Sequence, residues 1–403
     1  MVTYQEDRFL ETYEYKTRTF FKEIHNPVLS PDKWCIGLDI GYGGVKGYAQ
    51  NTAFCFPAFA IENPGSTRID FGFDQEQGSL IQYKDDAGRL WNVGECAQDI
   101  ISASDTSAGS LAAYGRHRYT APMFTVLFRV GMAASMRKNQ FGDPADKELV
   151  IQSGLPPKYL NADKDDFKEV MLGTHHYFVK FGAGPWEEFN FAIYERNILP
   201  LISQPMGTLL SIATTVHLTP TPDAPKYLGS KILIMDVGFG TLDLFPMTKG
   251  DVTIAACETD EHLGMKQILQ DTAADILQQF HFEVSVPAMQ QYLSSGVIPA
   301  KVGKAYKKMS FKEILNQHSR DICNKAIDKV LDTYNIAEYQ YLVITGGTGA
   351  AWSTMIRENE VFKESDTIQI VSGNQGDPSL PYVLSNARGY YIYAVINANA
   401  SAS

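Results

Sequence analysis

The apolar residues of this chain concentrate in short runs that lead into an aspartate and closely spaced glycines. The clearest run covers residues 232–235, and the chain then reads Asp-Val-Gly-Phe-Gly-Thr-Leu-Asp-Leu-Phe from Asp236 onward. Four consecutive apolar residues favour a strand buried on both faces, and the alternation after the glycines favours a second strand. The pattern predicts a β-hairpin with glycines at its tip.

A second copy of this pattern lies near the start of the chain. Residues 35–50 read Cys-Ile-Gly-Leu-Asp-Ile-Gly-Tyr-Gly-Gly-Val-Lys-Gly-Tyr-Ala-Gln, with the aspartate at position 39 and a lysine at position 46. Asp39 and Asp236 are separated by about half of the 403 residues. This repeat predicts two similar α/β domains, each offering one hairpin to a shared cleft.

The residue types in these hairpins suit phosphate chemistry. Glycines at a hairpin tip let backbone N–H groups converge on an anion, because no Cβ blocks the approach. An aspartate at the end of the first strand can hold a hydrated Mg²⁺, and the ammonium of Lys46 can reach a phosphate. A third stretch, Leu-Val-Ile-Thr-Gly-Gly-Thr-Gly over residues 342–349, predicts a strand that runs into a helix N-terminus, where a nucleoside and anions are favoured.

Two other nucleotide-binding motifs do not fit. The Gly-x-x-x-x-Gly-Lys-Ser/Thr sequence of P-loop proteins is absent. A dinucleotide-binding fingerprint needs a helix directly after Gly-x-Gly-x-x-Gly, whereas here the chain continues as a strand and Gly47 comes one position too late.

The three motifs, in this order, resemble the phosphate-1, phosphate-2 and adenosine motifs of the superfamily that contains actin, the heat-shock chaperones and the sugar kinases. The segments Leu90-Trp-Asn-Val-Gly-Glu-Cys, Gly-Leu-Pro at 154–156 and Ser385-Asn-Ala-Arg-Gly-Tyr are similar to the bacterial actin-like proteins of the ParM and Alp group. The resemblance implies an actin-like fold of the α/β class, with two ribonuclease H-like domains around a nucleotide cleft.

The resemblance also implies roles for individual residues. Gln204, at the start of the helix that joins the two halves, is the candidate for orienting the attacking water, with Asp236 as the second catalytic residue. Asp39 and Asp236 are the candidates for holding Mg²⁺ through water. At Phe239 some relatives carry an acid and others a glycine, so this bulky residue departs from the family pattern. The candidate nucleotide-binding residues are Gly41, Tyr42, Gly43, Gly44, Lys46, Gly238, Phe239, Gly240, Thr241, Gly264, Lys266, Gly346, Gly347 and Thr348.

The expected organisation has three parts. Residues 1–33 form an N-terminal extension, for which a helix is plausible, and its aromatic residues Phe9, Tyr13, Phe20 and Phe21 must pack on their own domain or on a neighbouring subunit. Residues 34–205 form the first domain, with a small inserted subdomain at about 50–110, and the C-terminal helix 378–403 completes it. Residues 206–377 form the second domain, in which three prolines predict a loop over 219–230.

The composition of the chain argues against several classes of function. A net charge of −11 argues against a broad nucleic-acid surface, and the longest apolar stretch, around residues 122–136, is too short to span a bilayer. The five cysteines contain no Cys-x-x-Cys pair, which favours reduced thiols and a cytoplasmic location, and the eight histidines show no metal-ligand spacing.

The expected function is that of an actin-like ATPase that polymerises into filaments. The resemblance implies ATP as cofactor, with GTP as the alternative, together with Mg²⁺. It implies self-association and an adaptor protein that links the filament to a plasmid or phage DNA, with no direct contact to nucleic acid or membrane. Two alternatives remain at this point: a small-molecule kinase of the same fold, and a non-polymerising nucleotide-binding scaffold.

Overall fold

The structure is a computed structural model, and it describes residues 10–63, 79–101 and 116–400. Phe9, parts of the expected inserted subdomain (64–78 and 102–110) and the last three residues of the expected C-terminal helix segment lie outside the described residues. None of the helices in the described ranges combines the length and the apolar character needed to cross a membrane.

The strands and helices alternate along the chain, as expected for the α/β class. The strands are β1 Phe20–Glu23, β2 Lys33–Ile40, β3 Gly44–Ala49, β4 Thr52–Pro57, β5 Ala60–Asn63, β6 Ile81–Asp85, β7 Leu90–Val93, β8 Glu148–Gln152, β9 Gly154–Leu155, β10 Gly173–Phe181, β11 Trp186–Ile193, β12 Ile202–Ser203, β13 Lys231–Val237, β14 Leu242–Thr248, β15 Asp251–Val252, β16 Glu258–Asp260, β17 Val297–Val302, β18 Ala305–Ser310, β19 Tyr341–Thr345 and β20 Gln369–Ser372. The α-helices are α1 Glu95–Gln98, α2 Pro122–Ser135, α3 Leu160–Met171, α4 Gln204–Ala213, α5 Ala224–Gly229, α6 Met265–Phe280, α7 Val286–Leu293, α8 Lys312–Thr333, α9 Gly347–Glu358, α10 Glu360–Lys363 and α11 Ser385–Ala400.

Two sheets share an arrangement of four strands, to which the first adds β1 at one edge and the second adds β20 at the other, and each contains one of the predicted hairpins. In the first, with strand order β1-β4-β3-β2-β8, β2 pairs with β3 antiparallel and with β8 parallel. In the second, with order β15-β14-β13-β19-β20, β13 pairs with β14 antiparallel and with β19 parallel. We refer to the parts built on these sheets as the first and second domains.

Strand β13 is buried on both faces, as its apolar run predicts. Ile232 and Ile234 point into a core formed with α4 and α5, whereas Leu233 and Met235 point into the larger core that contains residues of α6, α8 and α9. All four side chains are fully buried. Side chains alternate between the faces of a strand, so an unbroken apolar run is what a strand between two helical layers requires.

The C-terminal helix α11 returns to the first domain and packs between β2 and α4. At two points its backbone lies so close to a neighbour that no side chain fits. A Cβ at Gly37 in β2 would overlap the carbonyl oxygen of Ala387, and a Cβ at Gly389 would overlap that of Gly207 in α4. Glycines at these positions allow three backbone segments to approach each other.

Three expectations change with the structure. The N-terminal extension contains a short 3₁₀ turn, Thr12–Tyr15, and the edge strand β1, where a helix was plausible. The segment 219–230 is not entirely a loop, because helix α5 begins one residue before Pro225, and proline is compatible with the first turn of a helix. The expected inserted subdomain at about 50–110 is also not one continuous stretch. Its strands β5, β6 and β7 form a separate sheet with β10 and β11, whereas β4 belongs to the sheet that contains β2 and β3.

The N-terminal segment connects the two domains. Leu10 exchanges hydrogen bonds with the side chain of Asn316 in α8, and the Thr12 hydroxyl donates to the carbonyl oxygen of Leu293 at 2.7 Å. From residue 20 onward the chain pairs with β4 in the first sheet, where Phe21 packs against Phe54 and Phe181. Phe21 therefore packs on its own chain, whereas Tyr13 is 44% exposed.

We expect Gly389→Ala to destabilise the protein strongly, because the added methyl group would overlap the backbone of α4. Forced overpacking of this kind costs roughly 1–3 kcal/mol or more. The measurement is the free energy of unfolding in urea. Gly229→Ala is the matched control, since a Cβ there meets no atom within 4 Å. Equal stability of the two variants would show that the helices can separate freely at this crossing.

Candidate functional site

A cavity of about 590 Å³ lies between the two domains. The tips of both hairpins, the β19–α9 junction and the start of α4 line it, and residues 13–18 of the N-terminal segment form part of its wall. In each sheet the hairpin brings its aspartate to the end of the first strand, so the shared topology of the two domains places both aspartates at the cavity.

The first hairpin presents a carboxylate and an ammonium side by side. Asp39 and Lys46 lie opposite each other in the β2–β3 pair, and Lys46 Nζ is 3.1 Å from Asp39 Oδ2. A Cβ at Gly41 would lie 2.6 Å from that Nζ, so glycine leaves room for the lysine. Burial alone would lower the pKa of Lys46, but the surrounding groups, Asp39 foremost and Asp236 among them, together raise it, so the side chain carries its positive charge.

The second hairpin concentrates negative charge. Asp236 lies opposite Asp243 in the β13–β14 pair and accepts a hydrogen bond of 3.2 Å from Asn386 Nδ2 on α11. Burial, followed by the charge of Asp243, raises the pKa of Asp236 to about 7; Lys46 opposes this shift. Asp243 is fixed by the hydroxyls of Thr241 and Thr259, which donate to its two oxygens at 2.6 and 2.7 Å.

The β19–α9 junction approaches the second hairpin closely. Gly346 has φ +83°, and a Cβ there would lie 2.6 Å from Asp236 Oδ1, so both the conformation and the space require glycine. The Thr348 hydroxyl donates to the carbonyl oxygen of Gly238 at 2.9 Å. Helix α9 starts at Gly347 and presents its N-terminal N–H groups at the cavity, which favours an anion there.

The tips of the two hairpins interlock across the cleft. The Tyr42 ring packs on Gly240, where a Cβ would lie 3.1 Å from its Cδ2 atom, and Phe239 packs on Gly43 in the same way. The bulky Phe239 is therefore accommodated by a glycine of the opposite loop. The Arg118 guanidinium lies 4.4 Å from the centre of the Tyr42 ring and donates to the carbonyl oxygen of Ile40 at 2.6 Å.

Most of the candidate residues line this one cavity. Gln204, Asp39, Asp236 and the glycine-motif residues around positions 41–46, 238–241 and 346–348 all do so. Gly264 and Lys266 are not part of the lining but flank Met265, which is, and the backbone N–H of Lys266 donates to the carbonyl oxygen of Phe239 at 2.7 Å. Their assignment to the nucleotide stays a prediction.

Sequence reasoning did not assign a role to several residues at the site. Asn386 belongs to the Ser-Asn-Ala-Arg-Gly-Tyr segment, and its contact with Asp236 spans 150 positions of sequence, which no local pattern reveals. Arg118 and the wall formed by residues 13–18 were also missed. The aromatic residues of the N-terminal extension were the one feature of the sequence that could have indicated that residues 13–18 line the cavity.

The arrangement fits a hydrated Mg²⁺ bound together with phosphates. Asp236 and Asp243 place two carboxylates opposite each other at the second hairpin, and burial, followed by the charge of Asp243, raises the pKa of Asp236. No three acidic, histidine or cysteine side chains in the described ranges converge to hold a metal ion by themselves. Mg²⁺ commonly binds through one or two carboxylates, with waters and substrate phosphates completing its shell.

We expect Asp236→Asn to stabilise the nucleotide-free protein at pH 8. The folded-state pKa is raised from 3.8 to about 7, so stability falls as pH rises through this interval and levels off above it. The Asn side chain does not titrate, so the variant does not lose stability in this way. Its free energy of unfolding, relative to that of the wild type, should rise by the order of a few kcal/mol between pH 5 and pH 8. Urea unfolding at both pH values measures it, with Asp332→Asn, an exposed carboxylate on α8, as the control. If the free energies of unfolding of Asp236→Asn and wild type differ by the same amount at pH 5 and at pH 8, the raised pKa of Asp236 is contradicted.

Comparison with known proteins agrees with this architecture. Residues 37–207 match the family model of the actin-like proteins N-terminal domain. No curated protein matches the chain in sequence. Among solved structures, the fold is similar to a non-polymerisable quadruple mutant of pCBH ParM, with a TM-score of 0.67, 19% identity, and 90% of this chain and 98% of that chain covered.

Two further structures show the same likeness. ParM in a 15-stranded filament from Clostridium botulinum has a TM-score of 0.66 and 18% identity over 90% of this chain and 99% of that chain. The actin-like protein Alp7A has a TM-score of 0.60 and 14% identity over 92% of this chain and 98% of that chain. The predicted actin-like fold is confirmed: residues 37–207 match the N-terminal domain of the actin-like proteins, and the chain has the fold of the ParM and Alp proteins.

Proposed function

We propose that this protein binds Mg-ATP in the cavity between its domains, hydrolyses it, and assembles into filaments whose turnover the hydrolysis controls. The observation that carries the proposal is the meeting of two Asp-x-Gly-x-Gly hairpins and a helix N-terminus around one cavity. Backbone N–H groups from three directions, with an ammonium and two carboxylates, suit a triphosphate with its metal ion.

Different residues of the cavity have different roles in the proposed binding and hydrolysis of ATP. The glycine tips and the start of α9 bind and orient the phosphates, and Lys46, held by Asp39, adds positive charge. Asp39 and Asp236 hold the Mg²⁺, which when bound neutralises phosphate charge. Gln204 begins helix α4 at the edge of the cavity and orients the attacking water. Because glutamine is not a strong base, turnover should be slow.

Filament formation is proposed from the fold. The chain shares its two-domain architecture with a ParM that was solved as a filament and with an Alp12 filament. A role in moving plasmid or phage DNA in the cytoplasm, through an adaptor protein, follows from the same resemblance and belongs to this proposal.

Pelleting with nucleotide, followed in parallel with phosphate release, tests the function. We expect sedimentable polymer with Mg-ATP, a delayed release of phosphate, and loss of both with EDTA. Phosphate transfer to a small molecule without polymer would indicate the kinase alternative. Nucleotide binding with neither polymer nor release would indicate the scaffold.

We expect Gln204→Ala to retain ATP affinity but to hydrolyse ATP at least about tenfold more slowly, which corresponds to about 1.4 kcal/mol in the barrier. The reason is that Gln204 is proposed to act on the water and not on the nucleotide. Single-turnover phosphate release and the nucleotide Kd are measured side by side, with the exposed Gln278→Ala as the control. A fall in affinity as large as the fall in rate would make Gln204 a binding residue instead.

A further inference from the structure

The β17–β18 hairpin, residues 297–310, is a positively charged ribbon on the second domain. It carries four exposed lysines and no acidic residue: Lys301, Lys304, Lys307 and Lys308. None of these lysines forms an ion pair within the part of the chain that the structure describes. We refer to residues 297–310 as the basic ribbon.

An aromatic side chain stands among these charges. Tyr306 is 75% exposed and lies directly opposite Lys301, with Pro299 and Lys308 as the next cross-strand pair on the same face. A large exposed tyrosine surrounded by charge is typical of a contact surface, because aromatic residues supply much of the energy at protein interfaces.

The charge of the ribbon contrasts with the rest of the molecule. The whole chain has a net charge of −11 although the ribbon contributes only positive charge, so the remainder is still more acidic. A DNA molecule approaching the ribbon would be repelled by that remainder. Another copy of the chain, in contrast, offers complementary acidic surfaces.

One such acidic surface lies between α9 and β20. Residues 358–366 read Glu-Asn-Glu-Val-Phe-Lys-Glu-Ser-Asp, and their four carboxylates are exposed. Val361, among them, is 47% exposed and provides an apolar contact point for a partner. We refer to residues 358–366 as the acidic segment.

The basic ribbon and the acidic segment lie at opposite ends of the second domain. Helix α8 starts next to the ribbon, where the N–H of Phe311 donates to the carbonyl oxygen of Gly296, and its C-terminal end leads into β19. The acidic segment leads into β20, whose first residue, Gln369, pairs with Tyr341, the first residue of β19. The 22 residues of α8 separate the two ends by roughly 33 Å.

We propose that the basic ribbon of one molecule docks on the acidic segment of the next, in a head-to-tail contact. A heterologous contact of this kind, repeated from molecule to molecule, generates an open chain of subunits unless the rotation between neighbours closes it into a ring. This inference deepens the proposed function, on which it rests, by naming the two surfaces that meet between successive subunits.

Charge reversal tests the contact. In the first variant the four ribbon lysines become Glu, and in the second Glu358, Glu360, Glu364 and Asp366 become Lys. Each variant then carries like charges on both surfaces, so we expect each alone to have a critical concentration at least tenfold above that of the wild type. A 1:1 mixture restores opposite charges at every junction, and we expect it to co-assemble at close to the wild-type concentration.

Two controls isolate the effect. Lys158, Lys164, Lys249 and Lys325, all exposed and elsewhere on the chain, are changed to Glu to match the net charge of the first variant, and this protein should assemble as the wild type does. The ATP Kd of every variant should equal that of the wild type, which shows that the cavity is intact. Wild-type assembly should weaken as salt rises from 50 to 300 mM, because salt screens exposed charges.

Three outcomes would overturn the inference. If the wild type assembles and the two variants assemble equally well, or if the mixture fails to co-assemble, the surfaces do not meet. If the ribbon variant assembles normally but loses DNA binding that the wild type shows, the ribbon serves nucleic acid instead. If the wild type binds ATP but never assembles, the proposed function itself has failed, and that result is distinct from the first two.

Discussion

The close packing of three backbone segments at Gly37, Gly207 and Gly389 is the constraint on which the site depends. It brings the first sheet, the inter-domain helix α4 and the C-terminal helix α11 together without intervening side chains. Gln204 is the first residue of α4, and Asn386 lies one turn before Gly389 on α11, where it bonds to Thr208 on α4 and to Asp236 of the second domain. A steric requirement outside the cavity therefore fixes the positions of polar side chains inside it.

Within the cavity, charge is paired on one side and uncompensated on the other. Asp39 and Lys46 neutralise each other in the first domain, whereas Asp236 and Asp243 stand together in the second. The hairpin tips contact each other through Tyr42 and Phe239, each on a glycine of the opposite loop, which places the two charge environments side by side. In the proposed function, the metal ion bound with the triphosphate would supply positive charge beside these two carboxylates.

The sequence alone was sufficient for the features that are local and repeated. The two hairpins were predictable because an apolar strand, an aspartate and tip glycines occur within a dozen residues, and their repetition indicated paired domains. Contacts between distant positions were not predictable from the sequence. The hydrogen bond between Asn386 and Asp236, for example, depends on the crossing of α11 and α4. The N-terminal strand was missed because its apolar residues, Phe20 and Phe21, are too few to show a period, and pairing with β4 decides its conformation. Family resemblance assigned Gly264 and Lys266 to the ligand, and this assignment stays a prediction; the backbone N–H of Lys266 bonds to the carbonyl oxygen of Phe239 in the loop.

The N-terminal segment sets a geometric limit on how far the two domains can move apart. Tyr15 bonds to Asn316 of the second domain, and the chain joins the first sheet at Phe20. The five steps between these residues span at most about 17 Å when fully extended. As long as both attachments hold, this short segment limits how far the cleft can open on this side. Any wider opening requires one of the two attachments to be released first.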